Sequence, residues 1–148
     1  MTRAKRMKPV QNLFDDTERR LAVALATIER KVAEAEAKLQ ELERYRGDYD
    51  KQFAQRAGRG IGATDLRDYQ AFLGRLSEAI RQQQAVVKRA QSERDAERQR
   101  WQEAAKRAKA LGHVVEQWQT EERRASDRSE QRETDERRRR RERANAEK

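Results

Sequence analysis

Apolar residues recur at alternating steps of four and three from Leu21 to Phe53, through Leu25, Ile28, Val32, Ala35, Leu39, Leu42 and Tyr49, with Arg46 as the one charged interruption. That spacing is the seam of a coiled coil. A second seam with the same alternation starts at Leu66. It runs through Tyr69, Leu73, Leu76, Ile80, Gln83, Val87, Ala90, Arg94, Glu97, Trp101, Ala104, Ala108, Leu111 and Val115 to Trp118. Between the seams lies a Gly-rich stretch, Ala57-Gly58-Arg59-Gly60-Ile61-Gly62-Ala63, with three glycines in five positions. Left-handed backbone angles are cheap there and helix propensity is lowest. The pattern predicts an all-α fold, a long antiparallel two-helix coiled-coil hairpin.

The ends of the two helices are marked to different degrees. Pro9 is tolerated only near the first turn of a helix, so the first helix can start as early as Pro9. Asp15 with Glu18 resembles a capping box, which makes Asp15 the latest start. Thr64 reads as the N-cap of the second helix, with Asp65 in its first turn. Beyond Trp118 the seam positions become Glu122, Ala125, Ser129, Arg132, Glu136 and Arg139, and no apolar stripe survives. The organisation expected is a basic arm over 1–12, the hairpin over 13–118 with its turn at 57–63, and a charged tail over 119–148. The tail is either solvent-bathed helix supported by acid–base pairs or disordered, with disorder favoured over its last ten or so residues.

A turn centred near Gly60 makes residue i face roughly residue 121 − i. Phe53 then meets Leu66 and Tyr69, Tyr49 meets Leu73, Leu42 meets Ile80, and Val32 meets Ala90. Ile28 and Leu25 face Arg94 and Glu97, a polar layer that costs stability and can fix register. The outer half of the second helix has only the basic arm opposite it, which leaves Trp118 without a full partner.

Composition supports a rod over a globule. Of 148 residues, 34% are hydrophobic and 43% charged, too little apolar material for an ordinary core. The net charge of +9 raises the possibility of nucleic-acid binding. The basic excess is nonetheless spread over residues 1–60, 61–118 and 119–148 and gathers into no basic face. The absence of cysteine excludes disulfides and thiolate metal sites and suits a reducing compartment. The residues after Pro9 are too polar for a signal-peptide core, and the longest near-apolar run, Leu21–Ile28, is far short of the roughly 20 residues a membrane span needs. Membrane association is expected only through a partner.

No catalytic, cofactor or metal constellation is present. His113 is the single histidine, and the glycine stretch lacks the Lys-Ser/Thr ending of a phosphate loop. The hairpin tip is richer than its seam requires. Tyr45 and Phe72 stand one step beside the seam, and Phe72, Ala79 and Val86 repeat every seven residues along that flank. With Leu42 and Leu76 they widen the apolar strip into a patch, either a local thickening of the core or a docking face for another protein. Because Tyr45 and Phe72 lie beside the seam, truncating them is expected to cost little folding stability. The run Arg137–Arg141 is flanked by Glu133, Asp135, Glu136 and Glu142, so it reads as a solvated tail and not as a nucleic-acid or lipid site.

Tyr45-x-x-x-Tyr49, the Gly58-Arg59-Gly60-Ile61 turn, and Asp68-Tyr69-Gln70-Ala71-Phe72-Leu73 with Leu76 and Ala79-Ile80 stand in an order that resembles the FliJ family. These are coiled-coil components of the bacterial flagellar type III export apparatus, and the resemblance covers about Leu21 to Trp101. It implies a stalk similar to the gamma subunit of rotary ATPases. The partners it implies are the flagellar export ATPase hexamer, the cytoplasmic domain of the export gate membrane protein, and export chaperones. The gate-contacting face it implies is Leu42, Tyr45, Tyr49, Phe72, Leu76, Ala79 and Gln83, with Lys38 at its edge. The ATPase-facing end it implies is the termini, where the basic arm carries Arg3, Lys5, Arg6 and Lys8. The location implied is cytoplasmic, peripheral on the inner face of the cell membrane.

Three other readings share parts of this pattern. The equivalent stalk of a virulence-type injectisome would have the same architecture. A nucleic-acid-binding coiled coil would show affinity that falls steeply with salt. A structural homodimer would pair two tips into a four-helix assembly.

Overall fold

The computed structural model describes residues 1–147 and contains α1 (Arg3–Arg6), α2 (Lys8–Ala57) and α3 (Ala63–Ala146), with no strand among the described residues. The fold is an all-α antiparallel hairpin. By contacts the chain divides into two compact units, Arg20–Gln102 and the segment Met1–Arg19 with the chain from Glu103.

Within Arg20–Gln102 the buried side chains are Val32 and Ala35 on α2 and Leu76, Ile80, Gln83, Val87 and Ala90 on α3. Each lies at a seam position of the heptad pattern. Cross-helix pairs confirm the antiparallel sense: Lys31 reaches Glu93 and Arg98 reaches Glu29, both at 3.4 Å. Arg94 and Glu97 occupy half-buried seam positions, as the spacing predicts. Each turns to its own helix, Arg94 to Asp95 at 3.1 Å and Glu97 to Arg100 at 2.5 Å, and neither bonds across the seam.

The two long helices are joined through residues 58–62, and α3 starts ahead of the expected cap. The N–H groups of Arg59 and Gly60 donate to the carbonyls of Arg56 and Ala57 at 3.0 and 3.2 Å, closing α2 with a tightened last turn. Gly60 takes φ +94, a left-handed angle that other residues adopt only with strain. Thr64 is not the N-cap of the next helix. The Leu66 N–H donates to the Gly62 carbonyl at 3.1 Å, so the helix already runs at Ala63 and Thr64 sits in its first turn beside Asp65.

In the other unit the N-terminal segment is helical from Arg3, apart from the break at Met7, and docked. The Thr2 hydroxyl caps α1 by accepting from the Lys5 N–H at 3.2 Å. Ala4 is buried, and its N–H donates to the Glu122 carboxylate at 3.2 Å. The break between α1 and α2 falls at Met7, two residues before Pro9, whose ring offers no N–H to the carbonyl of Lys5. Trp118, expected to lack a full partner, has one: the Arg3 guanidinium lies 4.3 Å from its ring centroid and also pairs with Glu121 at 3.1 Å. Val115 is buried beside it.

Beyond Glu122 every described side chain is exposed, yet α3 stays helical to Ala146 where disorder was expected over the last ten or so residues. No glycine or proline follows Gly112, and Glu133, Asp135 and Glu136 each precede an arginine by four residues, the favourable orientation for helix support. Gln131 also donates to Asp135 at 3.3 Å.

Candidate docking face at the hairpin tip

Five rings on two helices build the tip. On α2, Tyr45, Tyr49 and Phe53 are spaced by four and so share a face; on α3, Tyr69 and Phe72 are spaced by three. The antiparallel register interleaves them into one pile. Phe53 stacks on Tyr69 with centroids 3.5 Å apart, and Tyr69 stacks on Tyr49 at 5.5 Å. Tyr49 meets Phe72 at 4.4 Å, tilted by 42°, and Phe72 meets Tyr45 edge-on at 6.0 Å. Ring-on-ring contacts can add to simple area burial.

The pile is anchored at one point by a polar bond. The Tyr69 hydroxyl donates to the Asp50 carboxylate at 2.5 Å. That bond first, then desolvation and the negative charge of Asp50, with a smaller contribution from Tyr49, raise the Tyr69 phenol above its ordinary value of 10.0. A neutral Tyr69 keeps its donor, so the bond holds through the physiological range.

The residues of the expected gate face fall into three groups. Tyr45 is 53% exposed and is the open end of the pile. Leu42, Tyr49, Phe72 and Ala79 are half-buried, presenting edges. Leu76 and Gln83 are 7% and 8% exposed and face inward. A partner lying on the closed hairpin can touch the first two groups; Leu76 and Gln83 only support them from within. Val86, on the same flank, is open at its surface. Phe72 is less peripheral than its position beside the seam predicts, because it is wedged between Tyr49 and Tyr45. Its truncation therefore carries a stability cost.

Of the basic residues expected at the other end, Arg3 is engaged by Trp118 and Glu121, whereas Lys5, Arg6 and Lys8 are exposed. Two features escaped the sequence reading. The Asp50–Tyr69 bond had a signal, since the two residues are nearly opposite in the expected register. The Arg3–Trp118 contact had one too, as that register sets residue 3 against residue 118.

Among the described residues no cluster of metal-ligating side chains exists, and no helix is long and apolar enough to cross a membrane. The tip presents an aromatic edge, open at Tyr45.

No curated protein and no solved structure matches the chain. The family model described as the flagellar FliJ protein matches residues 3–147, nearly the full length and both long helices. The chain therefore belongs to the FliJ family and is a coiled-coil protein associated with flagellar type III export.

Proposed function

We propose that the chain is a non-enzymatic stalk linking the flagellar export ATPase hexamer to the cytoplasmic domain of the membrane export gate, and that it also binds export chaperones. One observation carries this reading: the ring pile of a FliJ-family hairpin is open at Tyr45, on the face that the family resemblance assigns to the gate. Exposed aromatic residues flanked by half-buried apolar ones are what transient interfaces use as anchors. The gate contact in this account is Leu42, Tyr45, Tyr49, Phe72 and Ala79. Leu76 and Gln83 hold those residues in place from inside.

The ATPase contact is assigned to the other unit, with Lys5, Arg6 and Lys8 as its accessible charges. Location follows from the partners: the chain works in the cytoplasm and reaches the membrane surface through the gate. The test is a triple charge reversal, Lys5→Glu, Arg6→Glu and Lys8→Glu, in the full chain. The division of labour predicts weaker stimulation of the export ATPase with gate binding unchanged. Equal loss of both activities, or loss of neither, contradicts it.

A further inference from the structure

Gln83 is the buried polar residue of the hairpin. Its Nε2 donates to the Ala35 carbonyl across the seam at 3.0 Å, and no buried side-chain nitrogen or oxygen among the described residues lacks a partner. A carbonyl in mid-helix already accepts from its own helix, so the amide arrives as a second donor to the free lone pair. It can do so only where the facing side chain is small enough to leave the backbone open. Along the α2 seam from Leu21 to Phe53, Ala35 is the one such residue. One heptad away on either side stand Ile28 and Leu42, whose branched side chains cover the backbone.

The other polar groups near the seam constrain register less: the Asp50–Tyr69 and Glu36–Gln91 bonds cross between the helices but are exposed to water. Arg94 and Glu97 satisfy themselves on Asp95 and Arg100 of their own helix, so they travel with α3 at any register. The cross-helix pairs Lys31–Glu93 and Arg98–Glu29 are exposed and weak. We propose that Gln83 and Ala35 fix the register of the antiparallel pair within Arg20–Gln102. A one-heptad slip sets Ile28 or Leu42 opposite Gln83 and buries its amide without an acceptor, and an isolated polar seam residue specifies alignment by this penalty. Gln83 is thus a positioning residue that acts from inside the seam. This differs from the partner contact that the family resemblance assigns to it, and it does not depend on the gate reading.

The chain has no cysteine, so introduced pairs report register directly. Glu36→Cys with Gln91→Cys replaces a native cross-helix pair, in which Gln91 donates to Glu36 at 3.1 Å. Glu36→Cys with Gln84→Cys, and Glu36→Cys with Arg98→Cys, report slips of one heptad in the two directions. With Gln83 intact, a short bifunctional thiol reagent should cross-link the first pair and leave the slipped pairs at background. Gln83→Leu should raise the slipped yields relative to the native one by roughly 5- to 100-fold, the ratio that an unsatisfied buried amide represents. Slipped yields that stay at background overturn the proposal and assign the register to the loop and the tip contacts. Should Gln83→Leu lose helicity, an exchange variant decides: Ala35→Leu with Leu42→Ala keeps Gln83 and moves the small residue one heptad. Cross-linking of Glu36→Cys should then transfer from position 91 to position 98, and its retention at 91 overturns the proposal.

Discussion

Truncating Phe72 and truncating Tyr45 should have different consequences for stability, and the size of the difference follows from the ring pile. Phe→Ala at a fully buried site costs about 3–5 kcal/mol. Phe72 is half-buried and touches rings on both sides, at 4.4 Å and 6.0 Å, so Phe72→Ala should cost roughly 2 kcal/mol. Tyr45 is 53% exposed and has the single edge contact to Phe72, so Tyr45→Ala should cost about 1 kcal/mol or less. Both substitutions delete the same edge contact. The double variant should therefore fall short of additivity by about 0.5–1 kcal/mol. Urea unfolding followed by far-ultraviolet circular dichroism on the four members of the cycle measures all three quantities. Equal costs for the two single variants, or strict additivity, would refute the continuous pile as the organising feature of the tip.

Other consequences concern single contacts. The Tyr69 phenol is raised in the folded chain, so its stabilisation is fully present below the unfolded value near 10 and is lost as pH rises through the higher folded value. Tyr69→Phe should remove that alkaline loss, and stability measured against pH above 9 should show a shallower decline in the variant; identical declines would contradict the Asp50 bond. Arg3→Ala removes a cation–π contact and an exposed ion pair, together about 1 kcal/mol, and in a Trp101→Phe background the Trp118 emission should move to longer wavelength. An unshifted emission would mean that Arg3 does not cover the ring. Gly60→Ala places a Cβ on a left-handed residue and should cost about 1–2 kcal/mol in thermal or chemical unfolding, whereas Gly47→Ala in mid-helix should be neutral or stabilising.

The sequence carries most of this fold because a coiled-coil seam is one-dimensional: alternating steps of three and four give the element type, and the glycine break gives the antiparallel sense. What it conveys poorly is depth within the seam. Leu76 and Phe72 both belong to the widened strip, yet Leu76 is buried and Phe72 only half so. The difference arises from ring packing against Tyr49 and Tyr45, which no spacing rule reports. Gln83 was legible as a seam position but not as a hydrogen-bond donor to α2, since its acceptor is a backbone atom with no signature except the small side chain at Ala35. The N-terminal segment reads as a basic arm opposite the outer half of the second helix, because its charges are conspicuous. The register places it against Trp118, but the burial of Ala4 and its bond to Glu122 are tertiary effects that charge and spacing do not report.

The central claim, that the open end of the ring pile is where the export gate is met, is tested most directly by titrating the purified cytoplasmic domain of the gate with the intact chain and with Tyr45→Ala. Tyr45 contributes little to folding, so the variant should keep its helicity and unfold close to the parent. A hot-spot residue worth about 2 kcal/mol predicts a Kd weakened by roughly 30-fold. A Kd within twofold of the parent, with the fold intact, would contradict the account and return the aromatic tip to a purely structural role.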